Sequence, residues 1–325
     1  MEPLRLDDAS LPAFLRGCGV LRADEPATVE PAGDGNINWV RRVRTPARSV
    51  VVKQARPALE RFPEYEAPTE RIVCEARYYE IARALDVDRV CPAVLHFDAP
   101  HRVLVLEDLG DAPRLAASDV GAAARVARFL AAVHGATAGD ASLAARFPND
   151  GMRRLHGDHI FVLPFAPNDF PLPDPVRARA EAIWRDGRAA AVGAEMYERY
   201  LAPSGALVHG DVQPGNVLRA KRGAVLLDAE IAHAGDPAFD LGTLFAHLSL
   251  PAVARGDARA AEPVIEAARR SYRAAGGPSD DAFDVRVRRY AALEMLRRTL
   301  GAARVAEVAE PDAALRVVDF ALARL

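Results

Sequence analysis

The chain has 325 residues, 50% of them hydrophobic and 27% charged, and its 42 Lys plus Arg nearly balance 45 Asp plus Glu. That composition excludes a disordered or fibrous chain and fits one large or two ordinary domains. A formal net charge of -3 offers no broad basic surface to nucleic acid or anionic lipid, so the expected partner is a small molecule.

Cys18, Cys74 and Cys91 are too few for a disulfide framework or a zinc cage and read as core thiols in a reducing compartment. The segment Met1 to Ala9 lacks a charged-then-apolar export pattern, and no run reaches the roughly 18 apolar residues needed to span a bilayer. A cytoplasmic protein without membrane contact is expected. Nearly all the positive charge is arginine, with lysine only at Lys53 and Lys221.

In chain order, the first strand signal follows Gly33-Asp34-Gly35-Asn36, where Ile37, Trp39 and Val43 fall among polar and basic residues. Ser49-Val50-Val51-Val52-Lys53 is a second, β-branched run. Together they predict an antiparallel hairpin with Lys53 at the end of its second strand. From Thr69 the spacing of Ile72, Val73, Ala76, Tyr79, Ile81, Ala82 and Leu85 predicts a helix that contains Glu75. Val94-Leu95-His96-Phe97 and Val103-Leu104-Val105-Leu106 read as strands on either side of a turn at Pro100.

After Gly110 the composition turns Ala-rich and Arg-rich. Helical stretches are expected over Val120 to His134, Val176 to Tyr200, Asp257 to Ala275 and Asp281 to Leu325. Alternating Ala, Val, Leu and Arg at helical spacing puts core on one face and solvated charge on the other, so each arginine needs its own reason to count as a site. The short β runs Leu207-Val208-His209 and Val225-Leu226-Leu227-Asp228 interrupt these helices. The reading is an α+β chain with a small β-rich lobe, residues 1–109, and a larger helical lobe, residues 110–325.

The strongest local signal is His209-Gly210-Asp211-Val212-Gln213-Pro214-Gly215-Asn216, followed by Asp228-Ala229-Glu230. Phosphoryl transfer from a nucleotide needs a carboxylate to accept the hydroxyl proton and hard oxygen ligands for magnesium. Asp211 suits the base, and Asn216 and Asp228 suit the metal. Glu230 reads as a second metal ligand or as an acid paired with an arginine or His233, and His209 as a hydrogen-bonding support of the loop. The glycines of Gly33-Asp34-Gly35-Asn36 allow backbone amides to approach phosphate oxygens.

These segments, in this order, resemble those of protein-kinase-like enzymes in the version found in aminoglycoside phosphotransferases and choline kinases. The resemblance implies a two-lobed protein-kinase-like fold, with residues 1–109 binding nucleotide and 110–325 carrying catalysis and substrate. It implies ATP and Mg2+ as cofactors, Lys53 as the phosphate-clamping lysine with Glu75 as its helix partner, and backbone contacts to adenine near Glu107-Asp108-Leu109. Within that superfamily the chain is most similar to the 5-methylthioribose kinase family. The likeness runs through Gly33 to Asn38, Val51 to Pro57, Pro68-Thr69-Glu70-Arg71, Asn149 with Arg153, His159-Ile160-Phe161 and Glu294 to Gly301. In that family a pair matching Arg297 and Arg298 holds substrate hydroxyls, in keeping with the several donors of a guanidinium fork.

The chain departs from that family at Pro214-Gly215-Asn216, at Ala229 and at Ala67, where the family has Thr-Gly-Ser, Pro and Trp. The expected activity is therefore transfer of a phosphoryl group from ATP to a hydroxyl of a sugar such as 5-methylthioribose. The alternative acceptor is an aminoglycoside, another antibiotic or an amino alcohol, for which acids between Asp257 and Asp284 would supply an anionic pocket. No nucleic-acid or membrane partner is expected, and a homodimer is left open.

Overall fold

The computed structural model describes residues 4–33, 37–58, 66–203 and 205–325. Its first lobe begins with the short helix α1 (Leu11–Gly17) and strands β1 (Thr28–Pro31), β2 (Trp39–Arg44) and β3 (Ser49–Gln54). Helix α2 (Arg71–Ala84) and strands β4 (Val94–Asp98) and β5 (Val103–Glu107) complete it. The five strands form one antiparallel sheet in the order β1-β2-β3-β5-β4.

Side-chain alternation divides the sheet between two cores. Val50 and Val52 of β3 and Val103 and Val105 of β5 join Trp39, Leu11 and Leu15 on one face, whereas Leu104 and Leu106 belong to the main core with Ile72 and Tyr79 of α2. Lys53 stands opposite Leu104 in the ladder and so faces α2, although the strand around it is apolar.

The second lobe is helical. Helix α3 (Val120–Thr137), capped by Asp119, leads to α4 (Leu143–Arg146), α5 (Asp150–Phe161), α6 (Asp174–Asp186) and α7 (Arg188–Leu201). Strands β6 (Ala206–Val208), β7 (Val217–Ala220), β8 (Gly223–Leu226) and β9 (His233–Gly235) follow, then helices α8 (Ala238–Ala254), α9 (Glu262–Ala274), α10 (Asp281–Leu300) and α11 (Pro311–Leu322). The β-runs expected around the polar loop are present but do not pair with each other. β6 pairs with β9 and β7 with β8, so each β-run has its own partner.

Two expected helices are broken. The Val176–Tyr200 stretch divides at Gly187, whose φ of 74° is left-handed and ends α6. The Asp281–Leu325 stretch leaves the helix at Gly301, where a Cβ would lie 2.6 Å from the Arg297 carbonyl oxygen. The chain resumes as α11 with Pro311 at its first turn, a position that tolerates a missing N–H. Among the described residues no helix is long and apolar enough to cross a membrane.

Candidate active site

The loop between β6 and β7 is held from below by a carboxylate. Asp240, in the first turn of α8, is wholly buried. It accepts the backbone N–H of His209 at 2.7 Å and that of Gly210 at 2.9 Å, and its Oδ2 lies 3.1 Å from His134 Nε2. His134 Nδ1 in turn meets the Tyr272 hydroxyl at 2.8 Å, which ties the loop to α3 and α9. Gly210 has φ 87°, and a Cβ there would sit 2.7 Å from the Ile231 carbonyl oxygen, so only glycine fits. His209 is buried too. Its Nε2 faces the Leu227 carbonyl at 3.1 Å and its Nδ1 accepts the Asp211 N–H at 3.3 Å, a supporting role without access to a substrate.

This anchoring presents Asp211 with its two oxygens in different surroundings. Oδ2 accepts Asn216 Nδ2 at 2.7 Å and Gln213 Nε2 at 2.9 Å, while Oδ1 is buried without a hydrogen-bond partner among the described residues. An unpartnered buried carboxylate oxygen is costly unless a ligand completes it. Because Asn216 donates through its nitrogen, its Oδ1 is the atom left for a cation.

Across the cleft, Lys53 Nζ lies 2.7 Å from both Glu75 oxygens and 2.5 Å from Asp228 Oδ1. Burial opposes the Lys53 charge, yet Asp228 and Glu75 outweigh it and raise its pKa above the ordinary lysine value. Glu75, with no exposed surface, is pushed up to about 7 by burial, against the pull of Lys53. Tyr79 donates its hydroxyl to Glu75 Oε1 at 3.1 Å and adds a fixed dipole to the pair. Asp228 has φ 63°, a left-handed conformation that an aspartate tolerates and that turns the carboxylate toward the lysine.

Glu230 lies against the first lobe. Its Oε2 accepts Asn38 Nδ2 at 2.7 Å and lies 3.5 Å from Arg71 Nε, so it meets an arginine of the first lobe rather than His233. Arg71 is wholly buried and donates to Asn38 Oδ1 and to the carbonyls of Ala67, Pro68, Ile37 and Arg56. One guanidinium thus joins the segment before β2, the segment after β3 and the start of α2, and faces Glu230 from the second lobe. Asn149 holds the same tip from below, donating to the Glu230 and Ala232 carbonyls at 2.8 and 3.1 Å.

Arg298, near the end of α10, comes to the same loop, and Arg297 stands next to it on the helix. Arg298 donates from Nε to Glu294 Oε1 at 2.8 Å and from Nη2 to Gln213 Oε1 at 2.9 Å; Arg297 Nη1 reaches both Glu294 oxygens at 3.0 and 3.1 Å. His247 Nε2 lies 3.1 Å from Glu294 Oε1. Glu294 is buried, but Arg297 and Arg298 hold its carboxyl well below the usual range. His156, beside them, is pushed down to about 3, first by burial and then by the Arg297 charge, so it is neutral.

Compared with known proteins, residues 28–277 match the family described as the phosphotransferase enzyme family. The chain belongs to that family. Among curated relatives, methylthioribose kinase of Geobacillus kaustophilus is 26% identical over 89% of this chain and 83% of its own. That of Geobacillus thermodenitrificans is 25% identical over 94% and 86%. Among solved structures, Plasmodium vivax ethanolamine kinase superposes with a TM-score of 0.57 at 11% identity, covering 98% of this chain and 91% of that one. Streptococcus pneumoniae choline kinase gives 0.53 at 16% identity, covering 97% and 98%. The likeness to these structures is one of fold, the two-lobed protein-kinase-like arrangement expected from the sequence.

The remaining expected site residues of this phosphotransferase are placed unevenly. Gly33 is left-handed at φ 67° with open space around it, whereas Asp34, Gly35 and Asn36 lie outside the described residues. The Glu107 carboxylate is already used: Arg222 meets both its oxygens at 2.7 Å, the Ala93 N–H reaches it at 2.6 Å, and its own N–H goes to the Ala93 carbonyl. Leu109 is half-buried, and its backbone makes no hydrogen bond among the described residues. Three of the acids expected to form an anionic pocket are elsewhere. Glu262, Asp281 and Asp284 line a separate cleft between α8, α9, α10 and α11, shared with four arginines.

Among the described residues, no cluster of three or more His, Cys, Asp or Glu side chains could hold a metal ion alone. A lone carboxylate at Asp228 and an amide oxygen at Asn216 suit magnesium, which usually takes one or two protein oxygens and completes its shell with phosphate and water. Reading the sequence alone did not single out Asp240, Gln213, Asn38 or His247 as site residues. Asp240 had a signal, a lone acid inside the apolar run Ala238 to Leu250, which demands a buried partner.

Proposed function

We propose that this phosphotransferase moves the γ-phosphoryl group of ATP, with Mg2+, to a hydroxyl of a small neutral sugar, 5-methylthioribose or a close analogue. The observation that carries this reading is the buried, unpartnered Oδ1 of Asp211, with a cation-ligand pair on one side and an arginine pair on the other. A hydroxyl delivered to Oδ1 completes the missing hydrogen bond and hands over its proton as the oxygen attacks phosphorus. Lys53 exchanges Asp228 for phosphate oxygens and stays fixed by Glu75. Asp228 and Asn216 would hold Mg2+, which neutralises phosphate charge when bound. The free backbone of Leu109 is suited to the adenine edge, and Gly33 to Asn36 to the phosphates.

The curated relatives named methylthioribose kinase support the sugar acceptor, as does the charge around Arg297 and Arg298. Glu294 is neutralised by both arginines and His156 is neutral, so beside Asp211 the arginines oppose a polycation more than the acids attract one. The test is ATP consumption with methylthioribose, aminoglycosides, choline and homoserine offered separately. Magnesium-dependent turnover with methylthioribose alone is expected; preferential turnover of an aminoglycoside would overturn the acceptor assignment.

A further inference from the structure

Gln213 lies between the two halves of the site. Its Oε1 accepts Arg298 Nη2 at 2.9 Å and its Nε2 donates to Asp211 Oδ2 at 2.9 Å. The amide has one stable orientation, because flipping it would set N–H groups against the guanidinium and an oxygen against the carboxylate. The backbone holds it in place as well: Gln213 is extended, with its N–H on the Asp211 carbonyl at 3.0 Å and its own carbonyl accepting the Asn216 N–H at 2.9 Å.

Arg298 is anchored at its other side by Glu294, so of its three nitrogens only Nη1 makes no hydrogen bond among the described residues. Asp211 is likewise filled at Oδ2 and open at Oδ1. A single amide therefore fixes the relation between one open donor and one open acceptor. Two hydroxyls of a polyol are a natural match for such a pair, one accepting from Nη1 and the other donating to Oδ1.

We propose that Gln213 is a positioning residue that couples acceptor recognition to the general base: the chain Glu294–Arg298–Gln213–Asp211 aligns the acceptor held by Arg298 with Oδ1 of Asp211. This deepens the phosphoryl-transfer reading and rests on it. Gln213 itself touches neither the nucleotide nor the transferred group. Its loss leaves ATP binding alone, loosens the base and affects turnover more than acceptor affinity.

The experiment is a double-mutant cycle on the acceptor that the parent enzyme turns over best. Gln213→Leu removes both hydrogen bonds at similar size; Gln213→Glu keeps the Arg298 contact but loses the donor to Asp211 and remains polar if the leucine variant folds poorly. Either is expected to lower kcat by about 10-fold or more with ATP KM unchanged, the cost of a misplaced base. In an Arg298→Ala background the same Gln213 change is expected to cost less than about 3-fold, because the link is already cut. Equal losses in the two backgrounds, or parent-like kcat in folded Gln213→Glu, would overturn the coupling. A parent enzyme that consumes no ATP with any acceptor would instead bring down the phosphoryl-transfer reading, and this one with it.

Discussion

At the proposed phosphate end of the cleft three carboxylates, Glu75, Asp228 and Glu230, face two cations, Lys53 and Arg71. At the acceptor end Asp211 and Glu294 are matched by Arg297 and Arg298. On the proposed function a polyanionic nucleotide enters beside the first cluster, where carboxylates outnumber cations, so a divalent cation is expected to accompany it. The second is balanced and nearly closed on itself, with one open carboxylate oxygen and a few open guanidinium N–H groups. Such a site is suited to the neutral polyol of the proposed function, held by hydrogen bonds, more than to a charged ligand held by attraction. The difference assigns charge handling to one end and geometry to the other.

The largest break in that division should come at Asp211, which the proposed function assigns to the transfer step alone. Asp211→Asn is expected to lower kcat by roughly 10²–10⁴-fold, about 3–5 kcal/mol of barrier, with nucleotide affinity nearly intact. Steady-state kinetics beside nucleotide titration separates the two quantities, and near-parent turnover in a folded variant would refute the role. Next is the support under the loop. Asp240→Ala leaves the His209 and Gly210 N–H groups unpartnered and should destabilise the fold by about 3 kcal/mol or more, read as a lower Tm. A Tm equal to the parent's would mean that the loop holds itself.

A smaller and more selective effect is expected at the acceptor end. Arg297→Ala should raise acceptor KM by about 10-fold with ATP KM unmoved, the worth of one charge-assisted hydrogen bond. An aminoglycoside acceptor would give the opposite sign, since removing a cation would help it bind. The last effect concerns pH. His156 is depressed to about 3 in the fold, so its contribution to stability is present above the unfolded value of 6.5 and is lost as pH falls from there toward 3. His156→Gln should flatten the fall of stability across that window by up to about 1.4 kcal/mol per pH unit. His233, also depressed to about 3, keeps part of the slope, so Tm against pH should change in steepness without becoming flat.

Much of the first lobe was legible because its strands alternate and its main helix is periodic; Ser49 to Lys53 and Ile72 to Leu85 announce one buried face each, whereas the short α1 and β1 were not expected. The second lobe was less so. Helix α8 is buried on almost every side, so it has no polar stripe to betray a period of 3.6 residues. At Gly187 and Gly301 the Ala and Arg pattern runs on past a backbone that has already turned. In the candidate site, Asp211, Asn216 and Asp228 were singled out by residue type and order, and Lys53 and Glu75 by the family resemblance; the fold brings Lys53 to both Glu75 and Asp228, and Asn216 to Asp211. Glu230 could not be settled, because its partners Asn38 and Arg71 lie 192 and 159 positions earlier in the chain and meet it only across the lobes. Gln213 stood in plain sight within the motif, but its meaning depends on Arg298, 85 residues later.

The central contrast is tested most directly by calorimetric titration of the parent enzyme with ATP, once with Mg2+ and once with a chelator, alongside Asp228→Ala. The surplus of carboxylates predicts that ATP binds at least about 10-fold more weakly without the divalent cation, and that Asp228→Ala loses most of the magnesium-dependent gain. Equal ATP affinity with and without magnesium in the parent would contradict the account, because Lys53 and Arg71 alone would then be offsetting both the polyanion and the three carboxylates beside it.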